Sequence, residues 1–200
     1  MNKATNKYGG GLRYYLINGI TLYRLISSLV LILLISLGQS DIFKWLLALS
    51  FLTDTVDGYL ARKLKVTSLF GARLDSVADD LTIVAAMAGV VFFKMAFVRE
   101  QKAIFILLLV LFLVQNVLAF SRYGKTSSFH TYLAKLSALF QGVFFILLFF
   151  LQQPVYWLFY TAALFTAADL AEEIILILLL PQWKANVKGL YWLLKNRRTA

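Results

Sequence analysis

Six apolar stretches of roughly twenty residues follow one another along the chain, and nothing else restricts its fold as strongly. They cover 15–37, 42–64, 74–93, 103–123, 132–151 and 155–180. A helix of about 20 apolar residues crosses a bilayer with every backbone donor and acceptor satisfied internally. The two prolines, Pro154 and Pro181, lie at the ends of these stretches, where a missing N–H costs least. The pattern predicts an all-α, polytopic integral membrane protein with six transmembrane helices, in one domain over 1–200. Within it, 1–14 reads as an N-terminal interfacial segment, 15–180 as a six-helix bundle and 181–200 as a basic cytoplasmic tail. The first stretch is longer than a signal-peptide core and carries Arg24. No small-residue cleavage pattern follows it closely, so it is expected to be a retained helix.

Composition agrees. The chain is 60% hydrophobic, against about 45–50% for a soluble domain. It has no cysteine, which excludes disulfides, thiolate metal sites and cysteine nucleophiles. The net charge of +10 comes from Lys and Arg at the ends of apolar runs. That placement suits topology signals and anionic lipid headgroups, and no nucleic-acid partner is expected. With the N-terminus inside, the outer connections keep only Lys44, Lys94, Arg99 and Lys102. Both termini are then cytoplasmic, as is the connection between the second and third stretches. The tail "KANVKGLYWLLKNRR" alternates bases with aromatic and aliphatic residues, as a segment lying among headgroups does.

Half of the ten acidic residues crowd into 52–80: Asp54, Asp57, Asp75, Asp79 and Asp80. Asp54 and Asp57 are three apart on the second predicted helix, and Asp75 and Asp79 four apart at the start of the third. Both spacings put a pair on one helix face. A tight connection, with Gly71 just before the third helix, would bring the pairs together. Four carboxylates at a membrane edge repel one another unless a cation joins them. An oxygen-only set suits Mg²⁺, Mn²⁺ or Ca²⁺, and four carboxylates can hold two such ions, an arrangement suited to phosphoryl chemistry. Gly58 and Ala61 leave room beside the acids, and Arg62 can meet a phosphate oxygen. The plainer alternative is a solvated loop in which the acids pair with Arg62, Lys63, Lys65 and Arg73.

The run Asp54-x2-Asp57-Gly58-x2-Ala61-Arg62-x8-Gly71-x3-Asp75-x3-Asp79 resembles the full signature of the CDP-alcohol phosphatidyltransferases, at all eight positions over 26 residues. The resemblance implies a six-helix membrane fold. It implies transfer of a phosphatidyl or similar group from a CDP-linked lipid, such as CDP-diacylglycerol, to an alcohol, with release of CMP. It also implies two Mg²⁺ or Mn²⁺ ions and a homodimer in the inner (plasma) membrane of a bacterium. Carried onto this chain, Asp54, Asp57, Asp75 and Asp79 would be metal ligands and Asp79 also the base. Gly58, Ala61, Arg62 and Gly71 would line the nucleotide site. In the first helix Asn18, Thr21 and Arg24 resemble the family's Asn-x-x-Thr-x-x-Arg stretch, which is expected to face the nucleotide. Ordinary interhelical hydrogen bonding would use the same residues.

Between the fourth and fifth stretches lie Arg122, Lys125, His130 and Lys135. On the expected topology they share a membrane face with the acids and suit an acceptor that carries a phosphate. Positive-inside topology alone would also place them there. Members that use glycerol 3-phosphate typically have Lys after the last motif Asp and Pro after the third. This chain has Asp80 and Ser76 there, so the acceptor alcohol stays open. Asp169, Glu172 and Glu173 fall inside the sixth stretch, with Arg122 or Lys135 as expected partners. A structural ion pair or dimer contact would also account for them. The alternative function is a membrane cation transporter using the intramembrane carboxylates. Such proteins favour mid-membrane acids, broken helices and internal repeats, whereas here the spans are unbroken and the acidic cluster lies near one membrane edge.

Overall fold

The computed structural model describes the backbone of residues 12–64, 69–124, 129, 131–182, 187 and 189–198. Side chains are described throughout these except at 12–18, 20–21, 55–64, 69–76, 79–80 and 196–198. The described residues are helical, with no strand. In order the helices are α1 (Leu12–Ser36), α2 (Ser40–Leu64), α3 (Leu69–Phe93), α4 (Met95–Glu100), α5 (Lys102–Tyr123), α6 (Tyr132–Phe150), α7 (Tyr156–Leu179) and α8 (Leu190–Arg198). Each of the six apolar stretches is a helix. By length and composition α5 and α6 are sufficient to cross a membrane. The chain divides into two compact units, Met1–Met95 and Ala96–Ala200.

Three details depart from the sequence reading. α3 starts at Leu69, so Gly71 lies inside its first turn and not in the connection before it. A helix's first turn has no intrahelical bonds to its N–H groups, so a glycine there weakens it little. The connecting residues 65–68, and the expected tight turn with them, lie outside the described residues. The short helix α4 was not expected, nor was the extension of α1 back to Leu12. Residues 1–11 of the expected interfacial segment lie outside the described residues.

In the first unit α1 packs along both α2 and α3, while α2 and α3 touch each other far less. α1 stops at Gly38, whose φ of 68° needs the left-handed region. The Gly38 N–H donates to Ile35 O at 3.0 Å and the Gln39 N–H to Leu34 O at 2.9 Å. That paired pattern satisfies the last carbonyls of the helix and reverses the chain directly into α2. Leu31, Leu34, Phe43, Leu47, Ala78, Ala85, Ala86 and Val90 are buried. The run of small residues lets α3 approach closely. Gly89 shows how closely: a Cβ there would overlap the ring of buried Phe43. Buried hydroxyls are satisfied within their own helices, Ser28 on Leu25 O at 2.7 Å, Ser50 on Leu46 O at 2.9 Å and Thr82 on Ala78 O at 2.7 Å.

In the second unit α7 is the element against which α5, α6 and α8 pack. Phe97, Phe144 and Phe159 are buried together, with the Phe97 centroid 4.9 Å from that of Phe159 and 5.9 Å from that of Phe144. α5 is inverted relative to a soluble helix. Its buried side chains are Gln115 and Ala119, whereas Leu107, Leu109, Val110, Phe112, Val117 and Phe120 are exposed. Polar groups inside and large apolar groups outside suit a helix with hydrocarbon as its solvent. α5 ends at Gly124, with φ 64° and its N–H on Phe120 O. α6 starts at Thr131, whose hydroxyl caps the Ala134 N–H at 3.0 Å. Before Pro181, the α7 terminus is closed by Tyr123, whose hydroxyl lies 2.8 Å from Leu180 O and 3.1 Å from Ile177 O.

Candidate functional site

The described contact that anchors the acidic segment is an ion pair between α1 and α2. Arg24 Nη1 lies 2.8 Å from Asp54 Oδ1. The two side chains differ sharply in exposure, 1% for Arg24 and 45% for Asp54. The guanidinium is thus part of the protein interior, and it grips a carboxylate that remains open to the outside. A charge this deep is tolerated only when paired, and Arg suits the task because its planar donors fix a carboxylate's direction as well as its charge.

Sequence reasoning placed Arg24 in the Asn18–Thr21–Arg24 row and did not see its partner. The signal was present in the helix lengths. Arg24 lies 14 residues before Gly38 and Asp54 lies 16 after it, so an antiparallel hairpin turning there puts them at similar depth. What the sequence lacked was the turn position, which the left-handed glycine sets. The side chains of Asn18 and Thr21 lie outside the described ones.

The backbone puts Asp57 one turn beyond Asp54 in α2, and Asp75 and Asp79 one turn apart in α3. Gly58, Ala61 and Arg62 follow in α2, and Gly71 precedes in α3. The side chains of Asp57, Arg62, Asp75 and Asp79, and with them the expected four-carboxylate cluster, lie outside the described ones. Among the described residues no group of three or more acids and histidines is placed to hold a metal. Of the expected ligands, Asp54 is the one whose surroundings are described. Its carboxylate fits a hard divalent cation in donor chemistry, and its side chain is 45% exposed.

Of the four expected acceptor-binding residues, Arg122 is exposed in the last turn of α5. Lys135 is exposed in the first turn of α6, with Nζ 5.5 Å from the centre of the Tyr132 ring. Lys125 and His130 lie outside the described residues.

Among the described residues, the three acids of α7 meet neutral donors, and neither Arg122 nor Lys135 pairs with them. Glu173 Oε2 accepts from Gln115 Nε2 at 2.7 Å, and the Gln115 side chain is 4% exposed. Asp169 Oδ1 lies 3.5 Å from the Thr131 hydroxyl, at the long limit of a hydrogen bond. Glu172 Oε1 accepts the Leu190 N–H at 2.8 Å, in the first turn of α8. A carboxylate there also opposes the positive end of the α8 dipole. The acids therefore tie α7 to α5, to the start of α6 and to α8. Gln115, one of two adjacent amides inside an apolar run, was the overlooked sequence signal. A buried amide needs a partner, and Glu173 supplies it.

A model of the family described as CDP-alcohol phosphatidyltransferase matches residues 14–168. A Haemophilus influenzae protein named CDP-diacylglycerol--glycerol-3-phosphate 3-phosphatidyltransferase is 59% identical over 39 residues, 20% of this chain and 21% of that protein. A chloroplastic/mitochondrial protein of that name from Arabidopsis thaliana is 56% identical over 36 residues, 18% of this chain and 12% of its own. One from Wigglesworthia glossinidia brevipalpis is 37% identical over 71 residues, 34% of this chain and 39% of its own. These alignments therefore span between 12% and 39% of the relatives' lengths. No solved structure matches the chain.

Proposed function

Since the chain belongs to the CDP-alcohol phosphatidyltransferase family, we propose that it transfers a phosphatidyl group from a CDP-linked lipid to an alcohol and releases CMP. The observation that carries this reading is the complete eight-position signature from Asp54 to Asp79, lying inside the matched region. A cation transporter is not favoured, since that signature belongs to a family of transferases.

In this reading Asp54, Asp57, Asp75 and Asp79 hold two divalent ions, Mg²⁺ or Mn²⁺. When bound, such ions neutralise a diphosphate and stabilise a leaving phosphate. Asn18, Thr21, Gly58, Ala61, Arg62 and Gly71 receive the cytidine diphosphate. The absent side chain of Gly58 and the single methyl of Ala61 allow the nucleotide close to the α2 backbone. Arg62 offers donors to a phosphate oxygen. Asp79 accepts the hydroxyl proton of the acceptor as its oxygen attacks the phosphatidyl phosphorus. The new P–O bond forms as the bond to the CMP oxygen breaks, and CMP carries that electron pair away.

The lipid chains stay in hydrocarbon while the nucleotide arrives from water, so the site belongs at a membrane surface. Six spanning helices, cytoplasmic termini and a homodimer complete the proposal. The outward apolar face of α5 supports membrane insertion.

For the acceptor we favour glycerol 3-phosphate. The names of the relatives support it, and Arg122, Lys125, His130 and Lys135 supply the cationic chemistry its phosphate needs. Asp80 and Ser76, where members of that type typically have Lys and Pro, make a direct test necessary. Purified protein is given CDP-diacylglycerol with a panel of alcohols: glycerol 3-phosphate, glycerol, serine, inositol and inositol phosphate. CMP is followed for each. Glycerol 3-phosphate should give the fastest release. Faster release with serine or inositol would reassign the acceptor, and release with none would remove the transferase reading.

A further inference from the structure

We infer that Arg24 is a positioning residue for the divalent-metal site: from the buried side it fixes the direction in which Asp54 presents its carboxylate to an incoming cation. The inference rests on the metal reading above and adds a residue to it from a different helix.

Three observations carry it. The Arg24 Nη1–Asp54 Oδ1 distance of 2.8 Å is that of a charge-assisted hydrogen bond. The partners lie on different helices, so the bond fixes Asp54 relative to α1 and not merely within α2. Exposure is also one-sided: the guanidinium is sealed at 1% and the carboxylate open at 45%. A surface ion pair placed for solubility would expose both partners. Here the cation is buried while its anion keeps access to the outside, as expected for a ligand oriented from the interior.

Two effects of Arg24 on metal binding oppose each other. Its positive charge repels a divalent ion, while its grip removes the rotamer freedom that Asp54 would otherwise lose on binding. Partners behind metal ligands, when mutated, typically cost about 10–100-fold in metal affinity or activity. The repulsion is blunted because Asp54 already neutralises the guanidinium at contact distance. Orientation is therefore the larger effect, and removing Arg24 weakens binding.

The test titrates Mn²⁺ into the full-length protein in lipid nanodiscs, reading free Mn²⁺ by electron paramagnetic resonance. It compares wild type, Arg24→Gln and Arg24→Lys, with melting temperatures in chelator alongside. Arg24→Gln keeps hydrogen-bond donors without charge; Arg24→Lys keeps the charge without the planar fork. Both should bind Mn²⁺ about 10–100-fold more weakly than wild type. If either variant is too unstable to titrate, the other carries the comparison. A pair that serves stability alone would lower the melting temperature and leave Mn²⁺ affinity unchanged, which would overturn the inference. Tighter binding by Arg24→Gln would also overturn it, by showing that charge repulsion dominates. Wild type that binds no Mn²⁺ is a separate failure, that of the metal reading itself.

Discussion

At the scale of single residues, the close approach of α3 rests on Gly89. Alanine there gains about 1 kcal/mol of helix propensity but drives a methyl into the Phe43 ring, an overpacking cost of about 1–3 kcal/mol. Phe43 is fully buried and its ring packs 5.4 Å from that of Phe93, so it has little room to yield. Gly89→Ala should therefore lower the melting temperature in detergent, and adding Phe43→Leu should recover part of the loss. Additive losses in the double variant would show that the two residues do not compete for space. For the chemistry, Asp79→Asn should reduce CMP release at least about 100-fold while the protein stays folded, since it removes the proposed base. Normal turnover in that variant would take Asp79 out of the role. What spacing made legible in this segment is the helix faces that Asp54 shares with Asp57 and Asp75 with Asp79, because i, i+3 and i, i+4 separations fix a face without knowledge of the fold. The Arg24–Asp54 pair was not legible, because it depends on where two helices turn relative to each other.

Among elements, the acids of α7 act as ties. The bond from the Leu190 N–H to Glu172 and the tight approach of Gly189, with φ 139°, hold α8 against α7. A Cβ at Gly189 would lie 3.0 Å from Glu172 Oε1 on a backbone that side chains rarely adopt. Glu172→Ala and Gly189→Ala should each speed amide hydrogen exchange across α8 while leaving α1–α3 unchanged. Unaltered exchange in both would show that apolar packing of Leu190 and Leu193 alone holds the helix. Tyr123→Phe removes the hydroxyl that meets the last carbonyls of α7, and should cost about 1 kcal/mol in unfolding free energy. Denaturant titration in mild detergent reads that difference. The six long helices were legible because apolar run length is a strong signal. The start of α3 was less so: 69–73 reads as Leu-Phe-Gly-Ala-Arg, and its glycine and arginine hid a turn that is helical. The partners of the α7 acids were hidden for a further reason. A charged residue in an apolar run suggests an opposite charge, and that expectation drew attention away from the neutral donors Gln115 and Thr131.

For the whole molecule, an apolar exterior and a basic, cysteine-free composition describe a protein whose solvent is lipid on its sides. The proposed reaction joins two substrates of unlike solubility, a lipid and a small alcohol, at one acidic segment. Composition and apolar runs disclosed the membrane class, and the signature disclosed the family. The acceptor was less legible, because Arg122, Lys125, His130 and Lys135 satisfy both a topology rule and a phosphate site. The central claim is that acids of α2 and α3 work through bound divalent ions to release CMP. The most direct measurement follows CMP from CDP-diacylglycerol and glycerol 3-phosphate in nanodiscs, first with chelator and then with Mg²⁺ or Mn²⁺ restored. Release should stop with chelator and return with either ion; release that continues in chelator would rule out a metal-dependent site.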